Sequence, residues 1–466
     1  MAGATALPLL ELPAELLSVI LSPLDTRDLA RLAATCHSLC RDAPTPQLPL
    51  RQIGPVEMEL RRRAKARGLD VGSSLPDGAT SWVACLLKRD RRDAQMRQAP
   101  LAVGSTHSIV VHKGGRLLTW GGVSPGPTPV LSTQDKRFVS VATSGGHCLA
   151  LSADGEVYSW GGGDYGLLGH GDLDERAEPC RIESLSRIER IAAGKTTSAA
   201  VDENGRLYTW GQASRAYNEY VDEDEDEVNP GGLGYELDAE TEYQTTPKRV
   251  DALSQHRVVG VALGVFFTLA VTDAGAIFSF GQSDHGELGH GSWDSQVLPR
   301  RIKGTRRRFV AVAASSEHAL ALTEEGELYG WGHEYNGHRR EMYTPKPVAA
   351  LIGQRVKLIT AHDYNSCVVT EKGELFTWND DNFWDNLGHE GNKNMPTRVD
   401  ALNGVKVVAV AIYDCRTLAT DADGVVWIFG LRLGRGLDVR FDASGHLARM
   451  TPTPFRTLRV RVLNSP

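Results

Sequence analysis

Residues 138–162 read FVSVATSGGHCLALSADGEVYSWGG, and a shorter run, PCRIESL, follows at 179–185 after a loop. Short runs of valine, isoleucine, leucine and aromatics, broken by glycine, aspartate and proline, are strands with turn chemistry between them. Asp154-Gly155 suits a turn that needs positive φ, which glycine adopts without penalty. Four short strands are therefore expected here. Working outward, the same grammar returns along the chain. A glycine is followed five residues later by tryptophan or phenylalanine at Gly115/Trp120, Gly155/Trp160, Gly205/Trp210, Gly275/Phe280, Gly326/Trp331, Gly373/Trp378 and Gly424/Phe429. Another glycine follows the aromatic in every case but Trp378, where Asn379 stands instead. Self-similarity at a period of roughly fifty residues marks stacked units that cannot bury their faces alone.

A second marker follows each aromatic: a proline, two residues, then a branched or aromatic residue. The pairs are Pro127/Val130, Pro179/Ile182, Pro247/Val250, Pro299/Ile302, Pro345/Val348, Pro396/Val399 and Pro452/Phe455. Proline belongs on edge strands or at strand starts, so it marks the outer strand of each unit. Seven copies of both markers predict a closed seven-bladed β-propeller, since radial repetition limits exposed edges. The terminal LRVRVL, residues 458–463, is expected to pair with the first blade and close the ring.

These repeats resemble the regulator-of-chromosome-condensation family over about residues 96–463. The pattern stands here as VSVATSGGHCLALSADGEVYSWGGGDYGLLGHG and VAVAASSEHALALTEEGELYGWG. Its GxLGHG turn is kept at Gly166-Leu168-Gly169-His170 and Gly286-Leu288-Gly289-His290. The turn is eroded near Leu387-Gly388-His389 and lost in blades one and five. The family histidine is kept at His107, His147 and His318 but replaced by Thr197, Phe267, Asn365 and Arg416. Such replacement fits a residue that holds structure rather than a ligand.

With 466 residues, more than one domain is expected and ample core can form without staples. A net charge of −7 gives no global pull toward nucleic acid. Seven scattered cysteines include no CxxC pair, so neither a zinc motif nor a disulfide framework is indicated, and a reducing cytoplasm or nucleus is expected. The start of the chain lacks a charged n-region, and no run of 18 apolar residues occurs, so neither secretion nor membrane spanning is expected.

Residues 10–43, LELPAELLSVILSPLDTRDLARLAATCHSLCRDA, follow a different grammar. Pro13 suits a first helical turn, Pro23 ends that helix, and Asp25-Thr26 offer capping oxygens to the next. Leu29, Leu32, Cys36 and Leu39 form one apolar stripe. About forty residues cannot bury that surface alone, so the stripe is expected to dock. The segment resembles an F-box, which ties a substrate receptor to the Skp adaptor and a cullin–RING scaffold. The resemblance implies that Leu12, Pro13, Leu16, Ile20, Leu24, Leu29, Leu32, Cys36 and Leu39 bind the adaptor. A private helical cap on the propeller is the plainer reading of the same leucines. Expected domains are an F-box at 8–45, a Pro-rich and helical linker at 46–95, and the propeller at 96–463. The fold class is then mainly β, a seven-bladed propeller of the regulator-of-chromosome-condensation type, preceded by a small α-helical F-box and a helical linker.

Catalytic motifs are scarce. GGGDYG at 161–166 satisfies G-x-G-x-x-G but leads into another strand rather than a helix. There is no G-x-S-x-G, H-E-x-x-H or Walker loop, so no enzyme, metal or cofactor is expected. One feature breaks the repeat: twice as many residues separate Trp210 from Pro247 as separate Trp160 from Pro179. The extra length carries Tyr217, Tyr220 and the acid run Asp222, Glu223, Asp224, Glu225, Asp226 and Glu227. A long loop on a rigid scaffold is a common place for binding, here of a client with a basic patch. A self-repelling solubilising insert is the alternative.

F-box plus propeller resembles the substrate receptor of a Skp–cullin–F-box ubiquitin ligase, in a domain order like that of the fungal SCF-associated factor. The partners implied are the Skp adaptor, a cullin–RING ligase through it, and an unknown client, with no membrane and no nucleic acid. The rival readings are a guanine-nucleotide exchange factor for a small GTPase and a plain interaction scaffold. A photoreceptor of this fold would need clustered tryptophans, whereas these stand mostly one per repeat.

Overall fold

The computed structural model describes residues 100–104, 107–112, 115–121, 124–133, 135–212, 231–237, 243–333, 342–379, 387–389, 393–413, 416–422, 425–430 and 453–459. They form seven four-stranded sheets, each built from four consecutive antiparallel strands. In the second blade these are Phe138–Thr143, His147–Ser152, Val157–Gly161 and Arg176–Arg181, inner to outer. The expected seven-bladed propeller is the observed fold. The F-box, the linker and most of the acidic insert lie outside the described residues.

The second strand of each blade shows why the apolar runs are continuous rather than alternating. His147–Ser152, Thr197–Asp202, Phe267–Thr272, His318–Thr323, Asn365–Thr370 and Arg416–Asp421 are buried at every position. Neighbouring blades cover both sides of these strands, so both side-chain sets must be apolar or hydrogen-bonded. Outer strands such as Gln296–Arg301 are largely exposed, which is where charge and proline are tolerated. Inner strands crowd the axis and carry alanine there: Ala102, Ala142, Ala192, Ala262, Ala313, Ala361 and Ala411 all line a central channel of about 240 Å³.

The glycine marker closes the second turn of the first six blades, its seventh copy, Gly424, lying outside the described residues. Gly155 has φ +79°, and a Cβ there would lie 2.9 Å from the Cα of Arg187, which opens the next blade. Both conformation and space require glycine. The aromatic marker fills the seam between blades: Trp210, Trp331, Trp378, Phe280 and Phe429 are among the largest fully buried side chains. The proline marker explains itself through register. Ser159 pairs with Cys180 and Gly161 with Arg176, so three outer-strand residues, Pro179 among them, bulge opposite Trp160. The same skip includes Pro127, Pro247, Pro299 and Pro345. Proline lacks a ladder N–H, and a bulge is where none is needed. Past the bulge the ladder resumes through Ile182, Val250, Ile302, Val348 and Val399, whose N–H groups each donate to the third strand at 2.9 Å. All five side chains are buried.

Ring closure differs from the expectation. Thr453–Arg459, which includes Leu458, is the outer strand of the last blade and pairs with Val425–Gly430. The first blade supplies its own four strands. Residues 460–463 lie outside the described residues. The seam between last and first blades is instead closed by side chains: Leu101, Val103 and Val110 pack with Ala409, Leu418, Val426 and Ile428. Arg416 donates from Nη1 to Ser108 Oγ across it at 3.3 Å. The repeat unit thus coincides with the blade, and no strand is exchanged between blades among the described residues.

Candidate functional site

Because every blade is an antiparallel meander, its first and third connections emerge on one face and its second on the other. The long loops, including both GxLGHG turns, therefore share one face with the inner-to-second-strand turns. The acidic insert starts beyond Gln212, the last residue of a third strand, and the described chain resumes at Gly231. It belongs to this same set of connections. Tyr217, Tyr220, Asp222, Glu223, Asp224, Glu225, Asp226 and Glu227 themselves lie outside the described residues, as do the positions Leu12 to Leu39 expected to bind an adaptor.

Gly231-Gly232-Leu233-Gly234-Tyr235 proves to be the family turn, with tyrosine in the histidine's place. Thr209 Oγ1 donates to Leu233 O at 2.6 Å, as Ser159 Oγ does to Leu168 O at 2.7 Å and Ser279 Oγ to Leu288 O at 2.6 Å. His170 and His290 close those turns through Nε2 contacts to Ser159 and Ser279 at 2.9 and 3.0 Å. Tyr235 closes its own by donating to Thr209 O at 2.8 Å. The insert therefore lies ahead of an intact turn and leaves the blade undisturbed.

The turns also serve the next blade. Trp210 Nε1 donates to Leu167 O at 2.8 Å and Trp331 Nε1 to Glu287 O at 2.7 Å. A Cβ on Gly234 would lie 2.7 Å from the Phe280 ring, so phenylalanine seats on the turn glycine without a donor. Glu287 is buried, and that burial pushes its carboxyl up to about 8. It accepts the N–H groups of Asp284 and His285 at 3.3 and 2.8 Å, fixing the start of its loop.

The family histidine has a structural role that reaches across blades. Each of its seven positions opens a second strand, and His147, His318 and Arg416 reach the second residue of the following blade's second strand, whereas Asn365 Oδ1 accepts from Asn379 Nδ2 of its own blade at 3.2 Å. His147 Nε2 meets Ser198 Oγ at 2.8 Å, and His318 Nε2 meets Ser366 Oγ at 2.7 Å. Arg416 meets Ser108, as above. Phe267 packs in one cluster with Ala319, where a polar partner would be wasted. Burial, helped by neighbouring His333, lowers His318 to about 3.

The channel mouth on the long-loop face is polar and stitched from blade to blade. Ser144 Oγ donates to Gly194 O, and Thr196 Oγ1 donates to Val265 O. Ser316 Oγ donates to Asp363 Oδ1 at 2.7 Å, and Tyr413 OH donates to Ser144 O at 3.2 Å. The His362 and Tyr413 rings stack with centroids 3.9 Å apart. Exposed Lys195 stands beside them. Farther out, Trp293, 58% exposed, meets Tyr343 edge-on at 5.9 Å across the boundary of the fourth and fifth blades. On the same face the loops of those blades bring together His285, Glu317 and His333. No motif spacing announces this cluster, since its members come from three separate turns. The face offers polar, aromatic and imidazole groups for recognition.

The chain matches two families: F-box-like over residues 9–48, and RCC1-like domain over residues 80–378. It is 37% identical over 337 residues to the human E3 ubiquitin-protein ligase HERC2, covering 69% of this chain but 7% of that protein. It is 29% identical to the Ultraviolet-B receptor UVR8 of Arabidopsis thaliana over 64% of this chain and 69% of the receptor. Among solved structures, Prp20p from Saccharomyces cerevisiae matches with TM-score 0.59 and 21% identity, covering 79% of this chain and 88% of that one. The first five blades and three strands of the sixth, with their glycine turns and inter-blade aromatics, lie in the matched region, which is more than half of the sequence, and the chain belongs to the RCC1-like domain family.

Proposed function

We propose that this chain is the substrate-recognition subunit of a Skp–cullin–F-box ubiquitin ligase. The observation that carries this reading is the F-box-like match over residues 9–48 ahead of an RCC1-like propeller. In this reading the divisions are the F-box at 8–45, the linker at 46–95 and the propeller at 96–463. Leu12, Pro13, Leu16, Ile20, Leu24, Leu29, Leu32, Cys36 and Leu39 bind the Skp adaptor, and the cullin follows through it. The propeller holds a client by its long-loop face, where the channel mouth lies and the acidic insert is rooted. The chain then contributes effective concentration and orientation, while other subunits make the bond. The domain order resembles that of the fungal SCF-associated factor, but a client does not transfer with a fold.

Co-purification with the Skp adaptor tests the reading, comparing the full chain with a deletion of residues 1–43. Stoichiometric capture lost on deletion supports it; no capture by the full chain overturns it. The RCC1-like match favours one second reading, a guanine-nucleotide exchange factor. Acceleration of nucleotide release from a small GTPase, unaffected by the same deletion, would support that reading instead.

A further inference from the structure

His285, Glu317 and His333 come from three separate turns and converge on one point. We propose that they hold a zinc ion at the boundary of the fourth and fifth blades. One ligand atom from each lies within 4.8 Å of the other two, and His285 Nε2 is 3.8 Å from a Glu317 carboxylate oxygen. The two imidazole rings meet edge to face with centroids 4.8 Å apart. An ordinary ion pair needs one imidazole and one carboxylate. The second imidazole brings a third donor to the same point. A divalent cation satisfies all three groups at once.

The donors sit on a fixed frame. His333 N donates to Glu317 O at 2.8 Å, which couples two of the ligand residues through backbone. His285 N is held by the Glu287 carboxylate, and Glu317 N by Ser315 Oγ at 3.3 Å. His318, which lies behind the cluster, is engaged by Ser315 and Ser366 and is no ligand. Asp284, the other nearby carboxylate, accepts from the Gln282 side chain. Two imidazoles and a carboxylate suit zinc and disfavour magnesium and calcium, which prefer all-oxygen shells. Three protein ligands leave a fourth position to water or to an incoming side chain. The ligand side chains are open enough to admit an ion, His285 being 33% and Glu317 28% exposed.

The test is calorimetric titration of the chelator-treated full chain with Zn²⁺, against His285→Ala, Glu317→Gln, His333→Ala and the triple variant as background. The expected result is one ion per chain above that background, weakened more than about tenfold in each single variant. Cobalt in place of zinc should show the intense visible bands of a four- or five-coordinate site, lost in the triple variant. Excess Mg²⁺ should not compete. Zinc uptake by the triple variant equal to that of the parent chain, or none by the parent, overturns the assignment. Should His285→Ala disturb folding by circular dichroism, His285→Gln gives the same comparison with the side-chain volume retained.

Discussion

His318 and Phe267 occupy the same place in adjacent blades, yet one faces Ser366 and the other sits with Ala319. The pair, rather than either residue, is the unit of design. His318→Ala should cost about 2–3 kcal/mol, because it opens a cavity and strands the Ser366 and Ser315 hydroxyls. His318→Phe combined with Ser366→Ala should recover more than half of that loss in urea unfolding, by recreating the neighbouring seam. Equal loss in the single and double variants would break the pairing argument. The same residue sets an acid limit. The native state keeps His318 neutral down to about 3, whereas the unfolded chain protonates it near 6.5. Its contribution is therefore full above 6.5 and falls by up to about 1.4 kcal/mol per pH unit toward 3. Urea midpoints at neutral and mildly acidic pH should show this slope, and the Phe/Ala variant should flatten it. Glu287 acts with the opposite sign: its raised value, about 8, means that stability present below 4.5 is lost as pH rises through 8. Glu287→Gln should then be the more stable protein in alkaline buffer while showing no such gain near pH 5.

At the scale of the element, the blade is fixed by turn, bulge and aromatic together. Trp331→Phe keeps the ring in the seam but removes the donor to Glu287 O, and should cost about 1–2 kcal/mol. A loss no larger than a few tenths in thermal unfolding would show that burial alone selects tryptophan there. These parts differ in how far they show in sequence. The glycine turns, the aromatic anchors and the edge prolines were legible because each is a local rule of backbone conformation or missing donor. The turn at Gly231–Tyr235 went unread although it keeps the G-x-L-G of its relatives, because Tyr235 stands in the histidine's place and reaches a backbone carbonyl where histidine reaches a hydroxyl. A basic residue opens six blades at Arg137, Arg187, Arg257, Arg308, Arg355 and Lys406, each accepting from the residue just past its second strand. That marker too went unread, since arginine and lysine on a polar loop look like ordinary surface. His285, Glu317 and His333 were beyond reach for a different reason: only the stacking of the fourth on the fifth blade brings three turns to one point.

Closure is a property of the whole ring. Six seams join blades that are consecutive in the chain, so a breach there leaves the partners tethered by a short connection. The seventh joins the last blade to the first without a chain connection, and packing and the Arg416–Ser108 bond are among the contacts that hold it. Leu418 and Leu320 provide a matched comparison, being third residues of their second strands and fully buried in the seventh and an internal seam respectively. Either one changed to alanine should cost about 2–5 kcal/mol at equilibrium. Their kinetics should part. If the ring opens first at the seam between last and first blades, that seam is already broken in the unfolding transition state, and its native contacts set the barrier. Leu418→Ala should then speed unfolding by roughly tenfold or more, about 1.4 kcal/mol of the loss, while Leu320→Ala should act mainly on refolding. Unfolding limbs measured in the same urea series decide the matter. Superimposable limbs for the two variants would mean that the non-covalent seam is no weaker than a tethered one, and that the side chains between Leu101 and Ile428 close the ring as firmly as the chain itself.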